Sequence, residues 1–221
     1  MAARSTPDEV LPFLYTGSKW HVSPPILKRL NIQWVVNLYN KKAEPPKGIE
    51  PEKFLCCPIS DNGDSQMAEQ AAKFVAHISK AREKEENVLI HCEGGINRAP
   101  TVTMIYLIIG EKYTLRDAMN LVKSKRKQTA PHLGYLTQLV EIEKKEKGEN
   151  SITVDELVGI FQPPDVVAAG EGKGVSPEVW ASIHEAYGKG NVDETIEKLT
   201  PFQKMVLLQM ANKILKAAAK E

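Results

Sequence analysis

Residues 90–98 read Ile-His-Cys-Glu-Gly-Gly-Ile-Asn-Arg, and this stretch decides the fold of the chain. An apolar run at residues 87–90 leads into it and a second one at residues 101–110 follows it. This order predicts a strand, a glycine-bearing loop and a helix. In such an arrangement the backbone N–H groups of residues 93–98 point toward one position at the positive end of the helix. A nest of this kind binds a dianion such as phosphate.

Cys92 and Arg98 stand at the two ends of the loop. A helix N-terminus and a nearby guanidinium favour the thiolate form of a cysteine, so we expect Cys92 to be a nucleophile. The planar guanidinium of Arg98 can hold two oxygens of a phosphate at once. The backbone of five residues would form the phosphate-binding loop between them: Glu93, Gly94, Gly95, Ile96 and Asn97.

Length and composition favour a globular protein with a real core. The chain has 221 residues, of which 42% are hydrophobic, enough for one good domain and a small second one. It contains no apolar run that approaches a membrane span, and its first residues lack the apolar region of a secretory signal. Its three cysteines, an odd and small number, indicate reduced thiols. We therefore expect a cytoplasmic protein, with the nucleus as the alternative.

The charge of the chain argues against a partner held by bulk electrostatics. The net charge is +1, with a balance of +5 in residues 1–148 and −4 in residues 149–221. We expect no nucleic acid and no membrane as a partner, because either would favour a strongly basic surface. His21, His77 and His184 stand apart without partner ligands, so the sequence implies no metal site.

Strands and helices alternate along the first 148 residues, which predicts an α/β fold with a central, mostly parallel sheet flanked by helices. The phosphate-binding loop would lie at the carboxyl end of a central strand, where such folds bind ligands. The predicted strands are residues 10–17, 32–38, 54–59 and 87–90, and the predicted helices are residues 24–30, 68–85, 101–110, 115–125 and 133–145.

A charged run at residues 141–149 predicts a boundary between two domains, residues 1–148 and residues 149–221. The second would be a small all-helical region, with helices at residues 153–161 and 176–187, a flexible linker at 168–174 and a last helix from residue 200. Its apolar positions fit docking either on the first domain or on a protein partner. We expect the chain to be a monomer.

The pattern His-Cys-x-x-Gly-x-x-Arg at residues 91–98 resembles the signature of the cysteine-dependent protein tyrosine phosphatases, and residues 8–143 resemble the dual-specificity branch. The resemblance implies the cysteine-based phosphatase fold and a shallow pocket that accepts phosphotyrosine and phosphoserine or phosphothreonine in proteins. It implies hydrolysis through a phosphocysteine intermediate, without a cofactor.

The likeness extends beyond the signature. Residues 11–17 resemble the first strand of the family, and Arg126 and residues 131–139 resemble the region of its final helix. His132 and Tyr135 replace the more usual Asn and Phe there, at expected packing positions.

The resemblance also implies a general acid on a loop about thirty residues before the cysteine. Asp61 lies 31 residues before Cys92, directly after the predicted strand at residues 54–59, and is the preferred candidate. Asp64 is the alternative.

Two neighbours of the loop complete the expected site. The family places His91 away from the pocket, where it braces the loop by hydrogen bonding. Ala99 departs from the family, which has Ser or Thr here with a hydroxyl that donates to the sulfur; losing that bond costs roughly 1.5–3 kcal/mol. We expect slow breakdown of the phosphocysteine, because Thr101 lies nearly one helical turn away. We expect Cys57 to be a buried strand thiol, with oxidative pairing to Cys92 as the alternative.

Three functions remain open at this point. The first is an active dual-specificity protein phosphatase. The second is a weakened phosphatase that binds phosphoproteins, motivated by Ala99. The third is an RNA 5′-triphosphatase, because Asn97-Arg98 resembles that branch of the superfamily; Ala99-Pro100 and Asp61 count against it.

Overall fold

The computed structural model of the chain describes residues 6–61, 63 and 65–161. The chain divides into two compact units, Met1–Ile152 and Thr153–Glu221. The alternative acid Asp64, the predicted linker and the last two predicted helices lie outside the described residues. Among those that are described, no helix has the length and apolar character needed to cross a membrane.

One sheet of five strands organises the described part of the first unit, in the order β1-β2-β5-β3-β4. β1 pairs antiparallel with β2, and the other three pairings are parallel. The predicted α/β class with a mostly parallel central sheet is therefore confirmed. The strands are β1 (Asp8–Leu11), β2 (Leu14–Ser18), β3 (Ile32–Asn37), β4 (Phe54–Cys56) and β5 (Asn87–Cys92).

Helices flank this sheet. Five of them belong to the first unit: α1 (Pro24–Arg29), α2 (Ala71–Glu83), α3 (Arg98–Ile109), α4 (Leu115–Lys125) and α5 (Leu133–Lys147). The second unit contributes α6 (Val154–Phe161) to the described residues. Short 3₁₀ turns precede β4 and α2 and follow β2.

β5 lies in the middle of the sheet, between β2 and β3. Its residues after Asn87 are all buried, as expected for a strand covered on both faces. The register pairs Ser18 of β2 with Cys92 and Asn37 of β3 with His91. The carboxyl ends of these three parallel strands therefore meet at Cys92, which places the loop of residues 93–97 at that edge.

α3 is the buried centre of the domain. Its residues 98–108 are all buried, and it packs against β5, α2, α4 and α5. Burying an apolar side chain such as Met104 or Ile105 contributes roughly 1.5–3 kcal/mol. Pro100 fits the first helical turn, where its missing N–H has no intrahelical partner to lose. The helix that receives the loop is thus held rigidly from all sides.

The opposite face of the sheet carries a second apolar layer. Tyr15, Val35 and Leu89 lie side by side on three neighbouring strands, and Leu27 of α1 packs on them. Alternation along each strand sends the adjacent residues toward α3 instead. The sheet is therefore covered on both faces.

Two predicted strands differ from the observed ones. The segment predicted as one strand at residues 10–17 forms two, β1 and β2, which pair with each other as a hairpin. The strand predicted at residues 54–59 ends at Cys56 because Pro58 has no N–H for the ladder. Beyond it, Cys57 N and Ile59 N still donate to carbonyl oxygens at and after the end of β3, at 2.9 and 3.1 Å.

Candidate active site

The loop between β5 and α3 turns its carbonyl groups outward. All four carbonyl oxygens of residues 93–96 accept hydrogen bonds from the surrounding chain. The bonds are Lys19 N to Glu93 O (3.1 Å), Arg126 Nη2 to Gly94 O (3.2 Å), Arg126 Nε to Gly95 O and Ala130 N to Ile96 O (2.9 Å). In a trans peptide the N–H points opposite to the C=O, so the N–H groups of residues 94–97 face the other side. Cys92 Sγ lies on that side, where it accepts from Gly95 N at 3.2 Å.

Gly95 is the position where this loop demands glycine. Its φ is +68°, in the left-handed region, and a Cβ there would lie 2.5 Å from the carbonyl of Gly17 and 2.5 Å from Arg126 Nη2. Gly17 is constrained as well, because its Cβ would lie 2.3 Å from His21 Nδ1. The loop and the end of β2 therefore approach each other more closely than side chains would allow.

The Arg126 side chain holds the loop by donating to its carbonyl oxygens. Its side chain is buried and spans two carbonyls of the loop, while Nη1 lies 2.6 Å from Asp8 Oδ2 of β1. A buried guanidinium needs such partners, because an uncompensated buried charge costs several kcal/mol. The sequence identified Arg126 only through its resemblance to the family; its part in orienting the peptide groups comes from the structure.

Cys92 is only 1% exposed and lies at the floor of the loop. The hydroxyls of the two threonines in α3 donate to backbone oxygens, Thr101 to Asn97 O at 2.8 Å and Thr103 to Ala99 O at 2.9 Å. Ala99 is buried and offers no hydroxyl. Among the described residues, the donor to the sulfur is the backbone N–H of Gly95 and not a hydroxyl.

Arg98 is held at one end and open at the other. Its side chain is buried, and Nη1 donates to Ile59 O at 3.0 Å and to Leu38 O at 3.4 Å. Nε lies 2.8 Å from Asp61 Oδ1, an ion pair in which the N–H is not aligned for a hydrogen bond. A buried N–H without an aligned acceptor is costly to leave unpaired. The N–H at Arg98 Nε can therefore donate to an oxygen of a bound dianion.

The structure brings Asp61 to the same site. Its side chain is 57% exposed, and its carboxylate lies beside Arg98. Asn97 Nδ2 donates both to Asp61 Oδ1 at 2.9 Å and to the Asp61 backbone oxygen at 3.1 Å. The preferred acid candidate, the arginine and the cysteine loop are thus neighbours in space, although Asp61 is 31 residues before Cys92 in sequence.

The start of α5 holds the loop that carries Asp61. Tyr135 is buried, and its hydroxyl donates to Ser60 O. A Cβ on Gly134 would lie 2.3 Å from Gly63 O, so only glycine permits this contact. Sequence reasoning treated Tyr135 as a packing position and missed this role. The extra hydroxyl relative to the usual Phe was the signal that could have revealed it.

His91 and Cys57 lie buried outside the loop. Burial lowers the pKa of His91 to about 4, against the opposing effect of a hydrogen bond to the Cys92 backbone, while its Nδ1 has no partner. Burial likewise raises the pKa of the Cys57 thiol, which donates to Gln70 Oε1 at 3.8 Å. Cys56, Cys57 and Cys92 are all free thiols. Over the described ranges, no cluster of His, Cys, Asp and Glu has the composition of a metal site.

The rim beside the loop is aromatic and charged. Lys19 Nζ pairs with Glu93 Oε1 at 2.9 Å and lies 5.2 Å from the ring centroids of both Trp20 and Tyr39. Trp20 is 68% exposed. The Tyr39 ring lies 5.9 Å from the Arg98 guanidinium, so the rim reaches the site itself.

Comparison with known proteins identifies a family. The family described as "Dual specificity phosphatase, catalytic domain" matches residues 14–145. Human dual specificity protein phosphatase 5 is 32% identical over 140 residues, which is 63% of this chain and 36% of that protein. The match therefore spans about a third of the length of that curated relative.

Solved structures share the fold. A mouse dual specificity phosphatase complexed with zinc tungstate has a TM-score of 0.61 at 25% identity, over 67% of this chain and 92% of that chain. The human tyrosine phosphatase-like serine/threonine/tyrosine-interacting protein has a TM-score of 0.58 at 24% identity, over 64% of this chain and 98% of that chain. Because the family match covers more than half of its residues, this chain belongs to the dual-specificity phosphatase family.

Proposed function

We propose that this chain is an active dual-specificity protein phosphatase, which hydrolyses phosphotyrosine and phosphoserine or phosphothreonine in proteins. One observation carries the proposal. The inward N–H groups of residues 94–97 face the same side as Cys92 Sγ, and Arg98 and Asp61 adjoin that position. Family membership supports the same reading. The proposed site needs no cofactor.

In the first step the thiolate of Cys92 attacks phosphorus in line with the leaving oxygen. An S–P bond forms as the P–O bond to the substrate breaks, and Asp61 gives its proton to the departing oxygen. The loop N–H groups and Arg98 bind the three remaining phosphate oxygens, where charge is spread in the transition state. The dephosphorylated protein then leaves.

In the second step water attacks the phosphocysteine. The S–P bond breaks, the sulfur leaves as a thiolate, and Asp61, now a carboxylate, takes a proton from the water. Inorganic phosphate is released and the enzyme is restored. Ala99 bears on this step, because the sulfur leaves without a hydroxyl donor among the described residues.

A weakened phosphatase that binds phosphoproteins is the second candidate, and the absent hydroxyl at Ala99 favours it. The binding cradle of the loop would remain intact in such a protein. An RNA 5′-triphosphatase has less support, because Asp61 adjoins Arg98 as an acid would in a monoester phosphatase.

We also propose a partner, an oligomeric state and a location for this protein. Its partner is a phosphorylated protein, and the chain acts as a monomer in the cytoplasm, where thiols stay reduced. Residues 1–148 form the catalytic domain. For residues 149–221 we propose a role in docking, either on that domain or on a protein partner.

Turnover measurements separate these candidates. We expect release of phosphate from p-nitrophenyl phosphate and from phosphotyrosine and phosphothreonine peptides, and none from RNA with a 5′ triphosphate. Cys92→Ser should abolish turnover but keep oxyanion affinity, and Arg98→Lys should be nearly inactive because an ammonium lacks the bidentate fork. Cys57→Ser is the matched control and should stay active. Peptide binding without turnover would favour the binding module, and turnover that survives Cys92→Ser would refute the mechanism.

A further inference from the structure

We infer that the Asn97 side chain positions Asp61 for proton transfer, a role beyond the backbone contribution of Asn97 to the loop. This inference rests on the proposed phosphatase function. It concerns a positioning residue, because the carboxamide acts on Asp61 rather than on the substrate.

The carboxamide of Asn97 is committed at both ends. The residue is 6% exposed. Nδ2 donates to Asp61 Oδ1 at 2.9 Å and to Asp61 O at 3.1 Å, while Oδ1 accepts from His132 N at 2.9 Å. A backbone N–H requires the amide oxygen on its side, and two acceptors require the amide nitrogen on theirs. The orientation of the side chain is therefore determined by its partners.

Asp61 needs the support of Asn97 because its ion-pair partner, Arg98, must also bind the phosphate of the substrate. The Asp61 side chain is 57% exposed, and its carboxylate forms an ion pair with Arg98 Nε, which is also the donor left open for a phosphate oxygen. When Arg98 turns to a phosphate, the bonds from Asn97 still hold both the carboxylate and the backbone of Asp61. A general acid must stay within hydrogen-bond reach of the leaving oxygen, and small misplacements reduce rates strongly.

The position of Asn97 in the chain links Asp61 directly to the phosphate-binding loop. Asn97 immediately precedes Arg98 and belongs to the loop that cradles the phosphate. Its carboxamide therefore ties the acid to the cradle itself and, through His132 N, to the start of α5. Because Nδ2 donates to Oδ1, the geometry leaves Oδ2 to carry the acidic proton.

Two aryl phosphates of similar size, whose leaving groups differ in their need for a proton, test the inference. Phenyl phosphate requires protonation of its leaving oxygen much more than p-nitrophenyl phosphate does. We expect Asn97→Ala to lose about tenfold to a hundredfold in kcat/KM on phenyl phosphate and less than about threefold on p-nitrophenyl phosphate. Asn97→Asp keeps an acceptor for His132 N but puts a carboxylate opposite Asp61, and should show a similar or larger difference.

Two further variants complete the experiment. The double variant Asp61→Asn with Asn97→Ala should lose no more on phenyl phosphate than Asp61→Asn alone, because both changes remove one function. Thr103→Val is the control: it removes a buried hydroxyl bond to Ala99 O in the same helix without touching the acid. It should change both substrates equally and slightly.

A readout without turnover separates this inference from the proposed function. Amide hydrogen exchange around Asp61 should accelerate in Asn97→Ala and stay unchanged in Thr103→Val. If Asn97→Ala lost kcat/KM equally on phenyl phosphate and p-nitrophenyl phosphate, or left amide exchange unchanged, the positioning role would be overturned. Turnover that depends on Cys92 would still support the phosphatase in that case. Wild-type protein without turnover would overturn the phosphatase, and exchange would then still decide whether Asn97 holds the Asp61 loop.

Discussion

Asp61 Oδ1 lies 2.8 Å from Arg98 Nε, so an ion pair joins the carboxylate proposed as the acid to the guanidinium proposed to bind phosphate. The two side chains differ in exposure, since that of Arg98 is 5% exposed and that of Asp61 is 57% exposed. The guanidinium is therefore enclosed by protein, while the Asp61 side chain faces solvent. A phosphate dianion competes with Asp61 for Nε and is repelled by its charge.

Asp61→Asn should bind oxyanions more tightly than the wild-type protein even as it loses turnover. Removing one exposed negative charge near a dianion is worth about 1 kcal/mol, or roughly fivefold in affinity. Titration calorimetry with tungstate at pH 7.5 measures this change. Glu141→Gln, which removes an exposed charge on α5, is the control and should leave the affinity unchanged. Weaker tungstate binding in Asp61→Asn would contradict the competition.

Ala99→Ser should speed the second step of the reaction. In the wild-type protein the sulfur leaves without a hydroxyl donor, so phosphocysteine hydrolysis should be slower than its formation. Rapid mixing with p-nitrophenyl phosphate should show a burst of nitrophenol, followed by a slower steady rate. Ala99→Ser should raise the steady rate by about tenfold and shrink the burst.

Thr101→Val provides the control for this prediction. Its hydroxyl donates to Asn97 O and not to the sulfur, so the burst and the ratio of the two rates should persist in this variant. A wild-type protein with no burst that is also unchanged by Ala99→Ser would mean that the sulfur leaves readily without this donor.

Arg126→Met should damage both stability and phosphate binding. It removes the donors to the carbonyls of Gly94 and Gly95 and breaks the ion pair between Arg126 and the partly buried Asp8, at a cost of about 3 kcal/mol. Urea unfolding and tungstate titration measure the two effects. Asp8→Asn keeps Arg126 on the carbonyls, so it should lose stability with a much smaller loss of tungstate affinity. Equal losses of affinity in both variants would argue against a separate role for the carbonyl contacts.

His91 should make the protein less stable in mild acid. Its pKa in the folded protein is about 4, against an ordinary value of 6.5, mainly because burial disfavours the charged ring. Between pH 6.5 and pH 4 the unfolded chain therefore binds a proton at His91, whereas the folded protein does not. The free energy of unfolding falls as the pH drops through this range, by at most about 3 kcal/mol.

His91→Gln removes the titrating group, and urea unfolding at several pH values should then show a shallower fall over this range than in the wild-type protein. The carboxylates and His77, whose pKa burial also lowers, titrate in both proteins and cancel in the comparison. An identical slope in the variant would show that His91 does not carry the effect.

The sequence alone determined the strand, loop and helix around Cys92. Residues 90–98 predicted a strand, an amide-lined loop and a helix because these features depend on neighbours within a few residues. The alternation of strands and helices along residues 1–148 predicted a mostly parallel sheet with the loop at its carboxyl edge. Asp61 became a candidate through the resemblance to the family, which implies an acid on a loop about thirty residues before the cysteine.

Only the tertiary structure decided which side chains surround that loop. Asn97 meets Asp61, Arg126 meets Gly94 and Gly95, and Tyr135 meets Ser60 across more than thirty residues of chain in each case. Such contacts depend on how three loops and the start of α5 converge at one edge of the sheet. A hydrogen bond needs its two atoms within about 3 Å, and local sequence patterns carry no information at that distance scale between remote segments. Packing of the whole domain around α3 supplies it.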